Sequence, residues 1–324
     1  MINLAIWNRR ALSGLKFTFF ALVTAAVVSN TARAGNVPVP NGSFETIATA
    51  FADPRVDSWQ KTPKPDWWDD NANGPWDQLT GVFANSDPTN SDHIVNCDGS
   101  QALFLLAIPT VGIFQDYNSL DWSHTSPTHA FDAVFESGKS YQLTIGAIGG
   151  GPFVQGQPVM PQGSTLLVAL YYTNSQGAPV IVAQTTITNT IAVFNNNTNF
   201  VDFQVNLDTV KPTDAWAGKH MGIEIVSTAA PTAGQPGYWD LDNVRLTSVA
   251  VPLLGDPLVV DGKFSFTIKS DPGLKFDVLS TSTPGQPLSG WSSLGQVTNL
   301  TGTVTFTDPA PAGGQRFYST RQVQ

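Results

Sequence analysis

The chain has 324 residues, with 16 Lys and Arg against 25 Asp and Glu, a net charge of −9, and charged residues making up only 13 %. That acidity argues against nucleic acid and anionic membrane surfaces as partners, and it suits neutral ligands and divalent cations. The single cysteine, Cys97, cannot close an internal disulfide, so stability has to come from a packed core, and the thiol itself reads as buried and inert. Plentiful Gly, Pro, Asn, Thr and Ser give the texture of an all-β chain with many turns.

Arg9, Arg10 and Lys16 precede the apolar run Phe17 to Val28, and Ala32-Arg33-Ala34 offers a small-x-small cleavage site. Residues 1–34 therefore read as a secretory signal peptide of bacterial-type export, with a secreted or cell-surface destination. The run is too short to span a bilayer and nothing later is long enough, so no membrane insertion is expected. The remaining length exceeds what one sandwich needs. Val251-Pro252-Leu253-Leu254-Gly255-Asp256-Pro257 lacks alternation, which predicts a linker over 250–257 between a domain at 36–249 and a small β domain at 258–324.

The first domain opens with Asn41-Gly42-Ser43-Phe44-Glu45 and, after a gap, Ser58-Trp59, whose indole reads as core. Next comes a loop with three tryptophans, Trp67, Trp68 and Trp76, among four aspartates. Flat indole faces beside hydrogen-bonding groups are what stacks on a sugar ring, so these three are candidate carbohydrate ligands; the alternative is a hydrophobic plug over one end of the sandwich. Within the same loop Asp69, Asn71, Asn73 and Gly74 match the start of a calcium loop, but Thr80 stands where its closing Glu belongs, and an ordinary Asn/Asp/Gly turn explains them as well.

Gln101 to Ile108 and Val111 to Tyr117 read as core strands, neighbours in one sheet across a turn at Pro109. The irregular loop that follows supplies Tyr117 and Trp122 as further stacking candidates, and its His124 and His129 have no metal-binding spacing. Ser140 to Gly149 and Ser164 to Thr173 alternate most clearly and are expected in the middle of a sheet. Gly149 through Pro161 reads as a flexible crossover and Asn195 to Asn199 as a polar turn. The domain closes on Tyr238-Trp239-Asp240-Leu241-Asp242-Asn243-Val244-Arg245-Leu246. Asp240 and Asp242, two apart in a strand, share a face and repel each other unless a cation or a set of donors lies near them, or both face solvent.

Taken in order, "NGSFE", "DGSQALFL" (Asp98 to Leu105), "GIFQ" (Gly112 to Gln115), "GKSYQLT" (Gly138 to Thr144) and "WDLDNVRL" resemble a galactose-binding-like jelly roll, similar to carbohydrate-binding modules of the family 4, 9 and 22 type. The resemblance implies a structural calcium held by Glu45 and Asp242, with Asp240 an extra ligand or exposed, and a polysaccharide or glycan as partner. The tail, with Trp291, Phe306, Phe317 and Tyr318 as its expected core, resembles a small C-terminal β domain of verrucomicrobial secreted proteins, and surface retention is its expected role.

No motif with catalytic spacing is present, so no catalytic residue is assigned, although Asp66, Asp69, Asp132, Asp202, Asp214 and Glu224 include enough carboxylates for an acid pair. The expectation is a secreted, non-catalytic carbohydrate-binding protein with a structural calcium. Two alternatives stand beside it. One is a structural or adhesive surface protein. The other is an enzyme on the same scaffold, since the fold also resembles secreted cyclases of cyanobacterial indole-alkaloid synthesis, in which an Asp acts as general acid in an aromatic-lined pocket.

Overall fold

Apolar residues at every second position favour strands, and the computed structural model is built almost wholly from them. It describes residues 3–6, 21–24, 35–123, 127, 129–149, 160–194, 198–229, 237–250, 252–310 and 315–323. The chain divides into two compact units, one of residues 35–248 and one of residues 1–34 with 249–324. In chain order β1 (Asn3–Ile6) and β2 (Ala21–Thr24) belong to the second unit.

The first unit comprises β3 (Gly35–Val37), β4 (Ala52–Asp53), β5 (Gln60–Lys61), β6 (Thr80–Ala84), β7 (Gln101–Leu106), β8 (Gly112–Gln115), β9 (Lys139–Gly149), β10 (Thr165–Thr173), β11 (Pro179–Thr188), β12 (Val201–Leu207), β13 (Gly222–Ala229) and β14 (Tyr238–Ala250). One sheet runs β12-β9-β14-β7-β6-β4 with β3 added to β14, and the other runs β11-β10-β13-β8-β5. Their inner faces enclose one core containing Trp59, Leu103, Leu105, Ile113, Leu143, Ile145, Leu166, Val168, Ile223, Ile225, Trp239 and Leu241. This is a galactose-binding-like jelly-roll sandwich. Trp59 is buried as expected, its indole N–H donating to the Asn41 carbonyl at 3.2 Å.

Two sheet assignments differ from the sequence reading. β7 and β8 lie in opposite sheets, because the turn through Pro109 and Thr110, with Thr110 at φ 73°, carries the chain from one layer to the other. β9 and β10 are each flanked on both sides, but again in opposite sheets; Tyr141, Leu143 and Ile145 oppose Leu166, Val168 and Leu170 across the core. Most of the crossover between them, and the centre of the predicted turn at 195–199, lie outside the described residues.

β7 reads QALFLL with no polar alternation, and both its faces are covered. Leu103 and Leu105 enter the main core, while Ala102 joins Ile94, Ile148 and Phe200 in a smaller cluster on the outer face. The segment 85–100 lies over that outer face. Asn85 and Ile94 exchange two hydrogen bonds of 2.9 Å, and Asn96 exchanges two with Phe200, of 3.0 and 2.7 Å.

β14 changes phase part-way. Trp239 and Leu241 point into the core, then Val244 and Leu246 do, and the shift falls at Asn243, whose φ of 52° lies in the left-handed region that Asn tolerates.

The second unit adds β15 (Leu253–Val260), β16 (Lys263–Lys269), β17 (Leu274–Thr281), β18 (Ser292–Asn299), β19 (Thr303–Thr307) and β20 (Arg316–Val323). They form sheets β15-β16-β19 and β18-β17-β20-β1-β2 around Phe264, Phe266, Phe276, Phe306 and Tyr318, with Trp291 and Phe317 in a smaller cluster. Residues 253–257, read as linker, are the first half of β15. Its register breaks between Gly255 and Leu258, where Pro257 cannot donate to a ladder, and that break hides the alternation.

Candidate active site

The outer face of the seven-stranded sheet carries a cavity of about 370 Å³. Its walls come from β4 and the residue before it (Phe51, Ala52), β6 (Phe83), β7 (Phe104, Leu106) and β14 (Tyr238, Asp240), with Asp92 contributed by the covering segment. These side chains meet because of strand period. Asp240 pairs with Phe104, and Phe104 with Gly81; Tyr238 pairs with Leu106, and Phe83 with Ala52. Residues two apart on each strand then share the outward face.

Asp240 is the unusual member. Its side chain is fully buried, and neither carboxylate oxygen has a hydrogen-bond partner among the described residues. An unpaired buried charge is too costly to keep, so burial drives the carboxyl well above the ordinary carboxylate range and holds it as the neutral acid. Tyr238, next to it on the same face, is pushed up to about 12, first by burial and further by the Asp92 carboxylate. No Lys, Arg or His lines the cavity among the described residues. The arrangement is a carboxylic acid lining an aromatic-walled cavity, able to deliver a proton to a ligand held there.

A scan against family models matches residues 35–247 to the family described as HpiC1 cyclase. The chain belongs to the HpiC1-like cyclase family. This overturns the expectation of a non-catalytic carbohydrate-binding protein, because membership of the family points to an enzyme. No curated protein matches the chain. Among solved structures, the Stig cyclase Fisc from Fischerella sp. TAU, in complex with (3Z)-3-(1-methyl-2-pyrrolidinylidene)-3H-indole, is 20 % identical over 67 % of this chain and 99 % of its own, with a TM-score of 0.48. An apo cyclase from Fischerella sp. is 22 % identical over 68 % and 99 %, with a TM-score of 0.46. The C-terminal family 22 carbohydrate-binding module of Clostridium thermocellum Xyn10B is 16 % identical over 66 % and 98 %, with a TM-score of 0.30.

The residues singled out from the sequence of this HpiC1-like cyclase fall in several places. Trp76 is buried and donates its indole N–H to the Thr62 carbonyl at 2.8 Å; Trp68 packs half-buried on the core and donates to the Gly74 carbonyl at 3.0 Å; only Trp67 is mainly exposed, at 57 %. Their rings meet at 76°, 90° and 68°, edge to face, so the three offer no common plane for a sugar and close over the core as a plug. Tyr117 is stacked against His129 and His220, each at 4.1 Å, and Trp122 lies under the Arg55 guanidinium at 4.9 Å. His124 lies outside the described residues.

The expected metal ligands fall in two places. Asp69 caps the short helix α1 (Asp70–Asn73), its carboxylate accepting from the Asn71 N–H at 2.9 Å, and Asn73 turns back to the Asp69 carbonyl at 3.2 Å. Glu45 and Asp242 do approach the same loop, 97–101. Glu45 accepts from the Ser100 and Gln101 amides at 3.0 and 2.8 Å and from the Ser100 hydroxyl at 2.9 Å, an approach that Gly99 permits, since a Cβ there would stand 2.5 Å from the Glu45 carboxyl carbon. Asp242 accepts from the Asp98 and Asn243 amides, both at 2.6 Å. These N–H donors direct their positive ends at the oxygens a cation would need. No three His, Cys, Asp or Glu side chains among the described residues are arranged to hold an ion. As placed, the set does not suit calcium, which takes six to eight oxygens, and no step below uses it.

Of the carboxylates considered for an acid pair, Asp132 binds His220 at 3.1 Å, Asp202 pairs with Arg245, and Glu224 is half-buried with its carboxyl raised by burial. None of them lines the cavity. The sequence reading missed Phe51, Phe83, Asp92, Phe104 and Tyr238. A signal was present in β7: a continuous apolar run in a strand means two covered faces, and so something apolar on the outer side.

Proposed function

We propose that the protein is a cyclase in which Asp240 starts ring closure by donating a proton to an unsaturated, largely apolar substrate held between the rings of Phe51, Phe83, Phe104 and Tyr238. The observation that carries this reading is the fully buried Asp240 carboxyl, unpartnered among the described residues, beside those aromatic walls. The acid adds its proton to one carbon of a double bond, and the neighbouring carbon becomes cationic. A π-electron pair of the same substrate then forms the new ring bond, and a proton lost from the ring product returns to the Asp240 carboxylate, which restores the acid. Aromatic faces stabilise the passing positive charge, and the apolar walls keep out water that would otherwise trap it. The leader read at residues 1–34 supports export of this activity. Among the described residues no helix is long and apolar enough to cross a membrane.

Cyclisation of this kind conserves mass, which gives a direct test. The purified protein is incubated with a panel of alkenyl- and prenyl-substituted arenes and the products are separated by chromatography with mass detection. The expected product is an isomer of unchanged mass in water that gains one deuterium in D₂O, and Asp240→Asn abolishes it. An isomer formed at the same rate by Asp240→Asn would sink the assignment.

A further inference from the structure

The cavity holds a second carboxylate whose role differs from that of Asp240. Asp92 lines its edge, only partly buried, on the segment that covers the sheet. That segment is anchored on both sides of Asp92. Ile94 is fully buried beneath it and pairs with Asn85, the Val95 amide donates to the Thr198 carbonyl at 2.8 Å, and the ring of His93 is hydrogen-bonded to the Ser86 carbonyl at 2.6 Å. The backbone that carries Asp92 is therefore held in place at the cavity. The field of Asp92 reaches the Tyr238 hydroxyl inside the cavity, where it adds to the rise in that group's pKa.

The cavity thus combines aromatic faces, one neutral acid in its lining, one partly solvated carboxylate at its edge and no basic side chain among the described residues. Aromatic faces attract cations, and a carboxylate at the rim adds to that attraction and disfavours anions. We propose that Asp92 is a specificity-determining residue that selects ligands with a flat apolar ring system and a cationic nitrogen, the ammonium lying between Asp92 and the Tyr238 ring while the rings of Phe83 and Phe104 hold the apolar part. This rests on the cavity being the substrate site, as above, and adds the substrate's charge class. Asp92 makes no bond to the reacting carbons in this scheme; it sets which ligand enters and how it is turned.

A matched pair of probes isolates the charge: 2-(2-naphthyl)ethylamine, cationic at pH 7, and 2-(2-naphthyl)ethanol, neutral and of nearly the same shape. Binding of each to the full chain is measured by calorimetry, with wild type, Asp92→Asn, and two variants that fill the cavity, Phe104→Trp and the edge-strand Ala52→Leu, each checked for folding by thermal melt. The amine is expected to bind about five- to tenfold more tightly than the alcohol in wild type. Asp92→Asn removes that preference by weakening the amine alone, and the filling variants weaken both. If the two probes bind wild type equally and both are lost on filling the cavity, the cavity remains the site and the role of Asp92 is overturned. If neither binds, or both survive in the filled variants, the cavity itself is refuted as the ligand site and the selection by Asp92 falls with it.

Discussion

Asp240 stands directly opposite Phe104 across the β14–β7 ladder, so a buried carboxyl that has no partner among the described residues faces a phenyl ring on its own side of the sheet. Sheets disfavour Asp, and no strand geometry by itself rewards a carboxyl in that position. Asp240→Asn is expected to fold with a melting temperature equal to or above that of wild type, because it removes an ionisable group from an apolar site, and to lose cyclisation. Asp240→Leu should also fold and be inactive. Thermal melts beside the isomerisation assay check this; loss of folding in both variants would assign Asp240 a structural role.

Stability should fall as pH rises through the mildly acidic range. Asp240 and Asp242 both have carboxyls raised by burial, that of Asp242 to about 7. Between the unfolded value of about 4 and the folded value, the native state holds protons that the unfolded chain releases, so each group lowers unfolding free energy by up to about 1.4 kcal/mol per pH unit. For Asp242 the loss is complete above about pH 7. Urea denaturation from pH 4 to pH 8 measures the slope, and Asp242→Asn should flatten it over that window while leaving the part due to Asp240.

The tryptophan cluster separates by burial. Trp76→Ala should cost about 3 to 5 kcal/mol, since it opens a cavity under the plug and leaves the Thr62 carbonyl without its indole donor. Trp67, mostly exposed, should cost less than about 1 kcal/mol on the same change. Neither ring lines the cavity beside Asp240, so ligand binding there should persist in both folded variants. Denaturant melts with the naphthyl probes distinguish this from a platform role, which would make exposed Trp67 the more damaging loss for binding.

In the second unit Asp308 is fully buried and accepts from the Arg316 guanidinium at 2.5 Å, the Tyr318 hydroxyl at 2.7 Å and the Ala310 amide at 3.0 Å. Asp308→Ala strands two of those donors at the edge of the Phe264–Phe266–Phe276 core, and a loss of about 3 kcal/mol is expected. Differential scanning calorimetry of the full chain should show the transition of that unit displaced while the transition of residues 35–248 holds its place.

Much of this architecture follows from residue order. The alternation in Tyr141-Gln142-Leu143-Thr144-Ile145 and the inward pairs Trp239/Leu241 and Val244/Leu246 dictate strands with one face in a core, and Gly, Pro and Asn between them dictate turns. The ordered motifs from Asn41 to Leu246 carried the jelly roll, and period two put Asp240 and Asp242 on one face. What lies above that face was decided only by tertiary packing. The covering segment 85–100 has no periodicity, and its contacts with Thr198 and Phe200 span about a hundred residues, so nothing local announces that it encloses Asp242 and leaves a chamber over Asp240. The same holds for the tryptophans: spacing made them a cluster, but only the angles at which their rings met could show a plug. Strand period reports direction, whereas the chemistry of a buried carboxyl depends on which groups the fold brings within a few ångströms of it.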